Sequence, residues 1–263
     1  MLLSEILATL RADGETYLVD APAEWSQGRT LFGGLQAALL VAAMRRRVGQ
    51  DIPLRSLQVT FVGPVAPGTV CIAVRVLREG KSAIHVQAHT VGEDGIGCTA
   101  VAVFGRARPS QLGFAPAWPG VDGPPEQGKQ NLYIPNVTPE FIRYAEQRFV
   151  RGGYPFTGAR EPRTQTWVRY PREPAVTESV LIAIADTIPS PAIHTLKKFA
   201  IASSMTWTLE FLTQDLGGTP ETYWLMDAEA TSAGDGYVFQ TATLWSADRR
   251  AIALSRQSAV VFG

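Results

Sequence analysis

A helix without a polar face is the strongest constraint in this chain. The stretch GGLQAALLVAAM, residues 33–44, is apolar on every side, and only Gln36 interrupts it before Arg45, Arg46 and Arg47. A helix that is apolar all round is buried all round. Its first turn is a glycine doublet, Gly33 and Gly34. Two readings are open. Glycine lets the helix start pack tightly against a sheet, or it leaves backbone N–H groups free to hold an oxyanion or polarise a carbonyl.

What buries such a helix is legible downstream. LQVTFV, VCIAVRVL, AIHVQAHTV and CTAVAVF alternate or run β-branched, and short Gly/Pro turns separate them. Residues 107–135 are rich in Pro and Gly and read as an inter-domain linker. The pattern then returns. FIRYAEQRFV (141–150) and TQTWVRY (164–170) read as strands, and TESVLIAIADTI (177–188) as a second apolar helix stopped by Pro189. Four more strands follow: MTWTLEF, TYWLMDAEATSA, YVFQTATLW and AIALSRQSAVVF. FVGPVAPG near the first helix matches FLTQDLGG near the second, and the two halves end as AVAVFG and SAVVFG. One unit is used twice, with expected boundaries at 1–106 and 136–263. Each unit has one buried helix and one antiparallel meander, so the sheet must curl around the helix. The fold class is α+β, a double hot dog whose two sheets can run on edge to edge.

Composition narrows the function. The 263 residues carry 24 basic and 24 acidic side chains, so no basic excess is left for nucleic acid or a membrane surface. The apolar run is too short to span a bilayer, which takes roughly 20 residues. The first residues carry Glu5 and Arg11 at helical spacing and lack the features of a secretory signal. Cys71 and Cys98 read as reduced, semi-buried thiols of a cytoplasmic protein. The spacing Gly28-x4-Gly33 is that of a P-loop, but Leu35 and Gln36 stand where Lys and Ser/Thr are required. His85 and His89 share a strand face without a further ligand at metal-site spacing and read as exposed. The three arginines complement the C-terminal end of their helix.

Three positions are candidates for chemistry. Asp186 ends the second helix, where the helix dipole and apolar neighbours both raise its pKa; the plain alternative is an exposed last-turn cap. In SSMTWTLEF, alternation puts Met205, Trp207, Leu209 and Phe211 on one face and Ser204, Thr206, Thr208 and Glu210 on the other. That polar face either meets solvent or lines a cleft between the units. Gln257 in the closing strand alone reads as an exposed strand residue; its alternative role is to orient a partner, because its amide both donates and accepts.

At this point the residues resemble a family. GRTLFGGLQAALLVAA is similar to the first helix of acyl-CoA thioesterase II and its relatives. EPRTQTWVRY, LIAIAD, SMTWTLEF and SRQSAVV follow in that family's order. The resemblance implies a tandem hot dog that hydrolyses acyl-CoA thioesters with no metal or organic cofactor. It implies a site made of an Asp at the end of the second helix, a Thr on the next strand and a Gln on the last strand. Asp186 and Gln257 match; counting back from Phe211 puts Ser204 at the Thr position, a departure that keeps the hydroxyl and drops the methyl. By the repeat, Ser204 corresponds to Leu54 and Gln257 to Thr99, so one catalytic set per chain is expected. The first unit then supplies Gly33, Gly34 and Leu35, whose amides would meet the thioester carbonyl. The rival reading is a non-catalytic acyl-CoA binding module. Hot-dog hydratases pair a His with an acid at the helix, and neither helix here has a His. Curled sheets with free edges associate, so a homo-oligomer is expected.

Overall fold

The buried helix forms as expected and spans α2 (Gly33–Arg45), with all but its terminal residues and Ala42 inaccessible to solvent. The computed structural model describes residues 1–262. Ahead of α2 come α1 (Leu3–Ala8), β1 (Arg11–Asp13), β2 (Thr16–Ala21) and a small hairpin of β3 (Ser26–Gln27) and β4 (Thr30–Leu31). Arg11 therefore lies outside the first helix, in an edge strand, where it pairs with Asp20. After α2 run β5 (Leu54–Phe61), β6 (Gly68–Glu79), β7 (Ala83–Val91) and β8 (Cys98–Gly105). The second half has β9 (Lys129–Asn131), β10 (Glu146–Arg151), β11 (Arg163–Arg169), α3 (Glu178–Asp186) and α4 (Pro191–Thr195). It closes with β12 (Ile201–Phe211), β13 (Trp224–Gly234), β14 (Tyr237–Trp245) and β15 (Ala251–Phe262).

Thirteen strands make one antiparallel sheet in the order β1-β2-β6-β7-β8-β5-β12-β15-β14-β13-β11-β10-β9. The order reads the same from the centre outward in both halves, which is the repeat expressed in topology. The halves join where β5 pairs antiparallel with β12, Leu57 opposite Leu209 and Val59 opposite Trp207. Each half of the sheet curls over one helix, and the alternating burial of β7 and β8 shows one face turned to that core.

The helices lie antiparallel across the seam. Arg45 at the C-terminal end of α2 pairs with Glu178 in the first turn of α3, Nη2 to Oε2 2.5 Å. Each charge also opposes the dipole of its own helix end. At the other end, Gly34 approaches α3 so closely that a Cβ there would lie 3.1 Å from the Ala183 Cα and 2.5 Å from the Phe32 ring. Phe32 itself stacks on Phe141, centroids 3.9 Å apart. Gly34→Ala must displace a packed ring or separate two backbones, and is expected to cost about 1–3 kcal/mol in denaturant unfolding.

Three stretches differ from expectation. Residues 140–143 form a 3-10 turn, because Pro139 starts it and consecutive Phe141 and Ile142 both turn inward; the strand begins only at Glu146. The second helix stops at Asp186 rather than 188, since the Thr187 hydroxyl donates back to the Ala183 carbonyl and Pro189 bars another turn. The Pro/Gly-rich stretch carries structure of its own: β9 pairs with β10, and Trp118 packs edge-on against Trp245. Among the described residues no helix is long and apolar enough to cross a membrane.

Candidate active site

The end of α3 is anchored with unusual thoroughness. The Thr187 carbonyl accepts from Gln147 Nε2 at 3.0 Å, and its hydroxyl lies 2.9 Å from the Tyr170 hydroxyl. Gln147, Thr187 and Tyr170 are all buried. This fixes the peptide just after Asp186 and aims the partly buried carboxylate across the seam at the start of α2. There it lies where a side chain on Gly33 would stand: a Cβ on Gly33 would be 2.7 Å from Asp186 Oδ2. The Gly34 amide is near enough to favour the ionised form of the same carboxylate. Burial pushes the Asp186 carboxyl up to about 7, while the Gln257 hydrogen bond and the nearby Gly34 amide pull the other way.

Gln257 closes the cluster. Its Nε2 donates to Asp186 Oδ1 and to Ser204 Oγ, both at 2.9 Å. Asp186, Ser204 and Gln257, from α3, β12 and β15, therefore form one hydrogen-bonded group at the N-terminus of α2. Because the Ser204 oxygen accepts from Gln257, its own O–H remains available to donate.

Ser204 reaches this group by a route that simple alternation misses. The pairing of β12 with β15 slips between Ser204 and Thr206: Ser204 faces Ala259, while Thr206 faces Ser258. Met205 is the extra residue of a β-bulge, and a bulge of one residue exchanges the two faces beyond it. Ser204 therefore shares the inner face with Trp207. Thr206 and Thr208, expected on the same face as Ser204, lie on the opposite one. The same slip occurs in the first unit between Leu54 and Ser56, 150 residues earlier.

Reading the repeat through these strand pairs revises one equivalence. Trp207 faces Gln257, and its counterpart Leu57 faces Ala102. Gln257 thus corresponds to Ala102 rather than to Thr99, which matched only when the strands were aligned by their ends. Leu54 and Ala102 are both buried and apolar, so the first unit carries no second copy of the cluster.

One member was not foreseen. Gln240 on β14 donates from Nε2 to Gln257 Oε1 at 2.7 Å. The sequence carried a signal for it: period two puts Gln240 on the inner face between Val238 and Leu244, both buried. Its own Oε1 is buried without a partner, which commonly costs about 1–3 kcal/mol. Asp186, Gln240, Ser255 and Gln257 line a narrow cleft of about 10 Å³, room for a single water, with Ile188 and Met226 as apolar wall.

The remaining candidates fall elsewhere. Gly34 and Leu35 are both buried, whereas Gly33 is half-buried, so Gly33 offers the more accessible amide. His85 and His89 are half-buried on the outer face of β7, not exposed. Among the described residues no group of His, Cys, Asp or Glu is placed to hold a metal. Cys71 and Cys98 are free thiols. Burial, then the nearby Asp186 charge, pushes the Cys98 thiol up to about 12, which keeps it protonated and inert.

Residues 21–105 match the acyl-CoA thioesterase N-terminal domain, and residues 114–261 the acyl-CoA thioesterase C-terminal domain. No curated protein matches the sequence. Among solved structures, a hot-dog protein of unknown function from Alicyclobacillus acidocaldarius is 24% identical, with 99% of this chain and 98% of that one covered and a TM-score of 0.85. An acyl-CoA thioesterase II from Mycobacterium marinum is 18% identical over 99% and 98% of the two chains, TM-score 0.78. The tesB protein of Mycobacterium avium subspecies paratuberculosis is 17% identical over 99% and 100%, also at 0.78. At these identities the structural likeness shows the fold.

Proposed function

Since the chain belongs to the acyl-CoA thioesterase family and is a thioesterase, we propose that it hydrolyses acyl-CoA thioesters by direct attack of a water held among Asp186, Ser204 and Gln257. The observation that carries the reading is the Gln257 amide, which bridges a carboxylate and a hydroxyl at the start of a helix. A buried carboxyl whose pKa is raised toward neutrality is matched to work as a base near pH 7.

The water attacks the thioester carbonyl while Asp186 takes one of its protons. Negative charge grows on the carbonyl oxygen, above the first turn of α2, where Gly33 presents its amide and the helix dipole is positive. Collapse breaks the carbon–sulfur bond, and the leaving thiolate takes the proton from Asp186. The products are a free acid and a thiol, and Asp186 returns ionised.

The test is thiol release. Incubated with acyl-CoAs of graded chain length and a thiol reagent, the protein is expected to free one CoA per acid formed. Binding of every acyl-CoA without thiol release would sink the reading in favour of a binding module. Within this scheme Ser204→Ala should lower kcat about tenfold, the worth of one hydrogen bond to the water. Ser204→Thr should retain most of the rate, and Thr206→Val, on the outer face, should leave it unchanged.

A further inference from the structure

Gln257 can serve Asp186 and Ser204 only with its NH2 end turned toward them. Nothing in an amide's shape enforces that choice, since its oxygen and nitrogen ends are nearly isosteric. With the amide reversed, Oε1 would face the Asp186 carboxylate, acceptor against acceptor, and the group would come apart. We propose that Gln240 is a positioning residue that sets this polarity: its Nε2, 2.7 Å from Gln257 Oε1, requires an acceptor there and so turns the donor end of Gln257 to Asp186. The inference rests on the function proposed above.

Two independent observations carry it. First, Gln240 gains little for itself. It is 9% exposed, sits among apolar inward-facing residues, and its Oε1 has no partner. An apolar side chain would suit that site better by packing alone, so the single bond to Gln257 is what the glutamine supplies. Second, the repeat contains its own control. Gln240 faces Gln257 across β14 and β15; in the first unit, Val86 faces Ala102 across β7 and β8. Ser204, Gln257 and Gln240 thus correspond to Leu54, Ala102 and Val86. All three positions are polar in one unit and apolar and buried in the other. The third residue changes with the other two, as expected of a group that works together.

Two variants test the proposal, with Asp186→Asn as reference. Gln240→Met keeps the volume and removes the donor. It is expected to lower kcat roughly 10–100-fold with KM little changed, and to melt no lower than wild type because no unpartnered oxygen remains. Gln240→Glu adds a pH signature. A protonated Glu donates to Gln257 Oε1 as glutamine does; an ionised one repels it and turns the amide round. Asp186 is the one ionisable carboxyl or amine among the residues lining the cleft, so a new loss of activity at rising pH would belong to the introduced Glu. If Gln240→Met holds kcat within about twofold of wild type while Asp186→Asn is inactive, or if Gln240→Glu keeps the wild-type pH profile, the positioning role is overturned and the site stands. If Asp186→Asn also keeps its rate, the reading of the whole site falls.

Discussion

Asp186→Asn is expected to lower kcat by about 10²–10⁴-fold, the usual worth of a general base, while the protein still folds. The separation of these two effects follows from the pKa. Burial raises the folded-state carboxyl to about 7, against roughly 4 in an unfolded chain. Between those values the folded protein binds more protons than the unfolded one, so this group's contribution to stability is complete at low pH and lost as pH rises to about 7. At roughly 1.4 kcal/mol per pKa unit, the cost of the charged form has a ceiling of about 4 kcal/mol. The Asn variant has no such proton to lose. Its Tm, measured against wild type, should therefore gain ground between about pH 4 and about pH 7 as its activity stays low. A variant that merely unfolded would lose Tm at every pH.

Gly33→Ala is the second large effect, and it acts through space alone. The added Cβ would lie 2.7 Å from Asp186 Oδ2 and 3.0 Å from the Phe61 ring. The ring is packed at the seam, so the carboxylate is the group that moves. It then leaves Gln257 and the water together. Misplacing a reacting group by about 1 Å can cost 10²-fold, so a kcat about 10²-fold down is expected, with a smaller change in Tm than for Gly34→Ala. Steady-state kinetics with acyl-CoA and a thermal melt check both halves. The pair of glycines thereby separates into two jobs: Gly33 makes room for the carboxylate, and Gly34 lets two helices touch.

The sequence exposed the parts of this arrangement that depend on periodicity. The apolar helix at 33–44 had to be buried, and the repeat of helix and meander required two wrapped units. Asp186 stood out as a carboxylate at the end of an apolar helix, whereas Gln257, which alone reads as an exposed strand residue, was marked by the family resemblance. What it concealed depends on register and on three-dimensional contact. The bulge at Met205 moves Ser204 to the inner face, and alternation, which assumes an unbroken ladder, put it with Thr206. Thr99 was paired with Gln257 by counting from strand ends, whereas backbone pairing selects Ala102. Gln240 was readable as a polar residue on an apolar face, yet its partner is set by which strands adjoin. Phe141 and Ile142 read as strand because both are apolar; a 3-10 turn after Pro139 buries them equally well. The seating of the Asp186 carboxylate against Gly33 depends on two units meeting at a seam, which no local pattern encodes.

The central claim is that the Asp186 carboxylate takes the proton from the attacking water. Its most direct test compares two titrations: the pH dependence of kcat/KM, and the ionisation of the Asp186 carboxyl followed by infrared difference spectra of wild type against Asp186→Asn. Both are expected to turn at one midpoint near 7, with activity rising as the carboxyl ionises. A carboxyl that ionises near pH 4, in the ordinary Asp range, while activity turns elsewhere or not at all, would contradict the account.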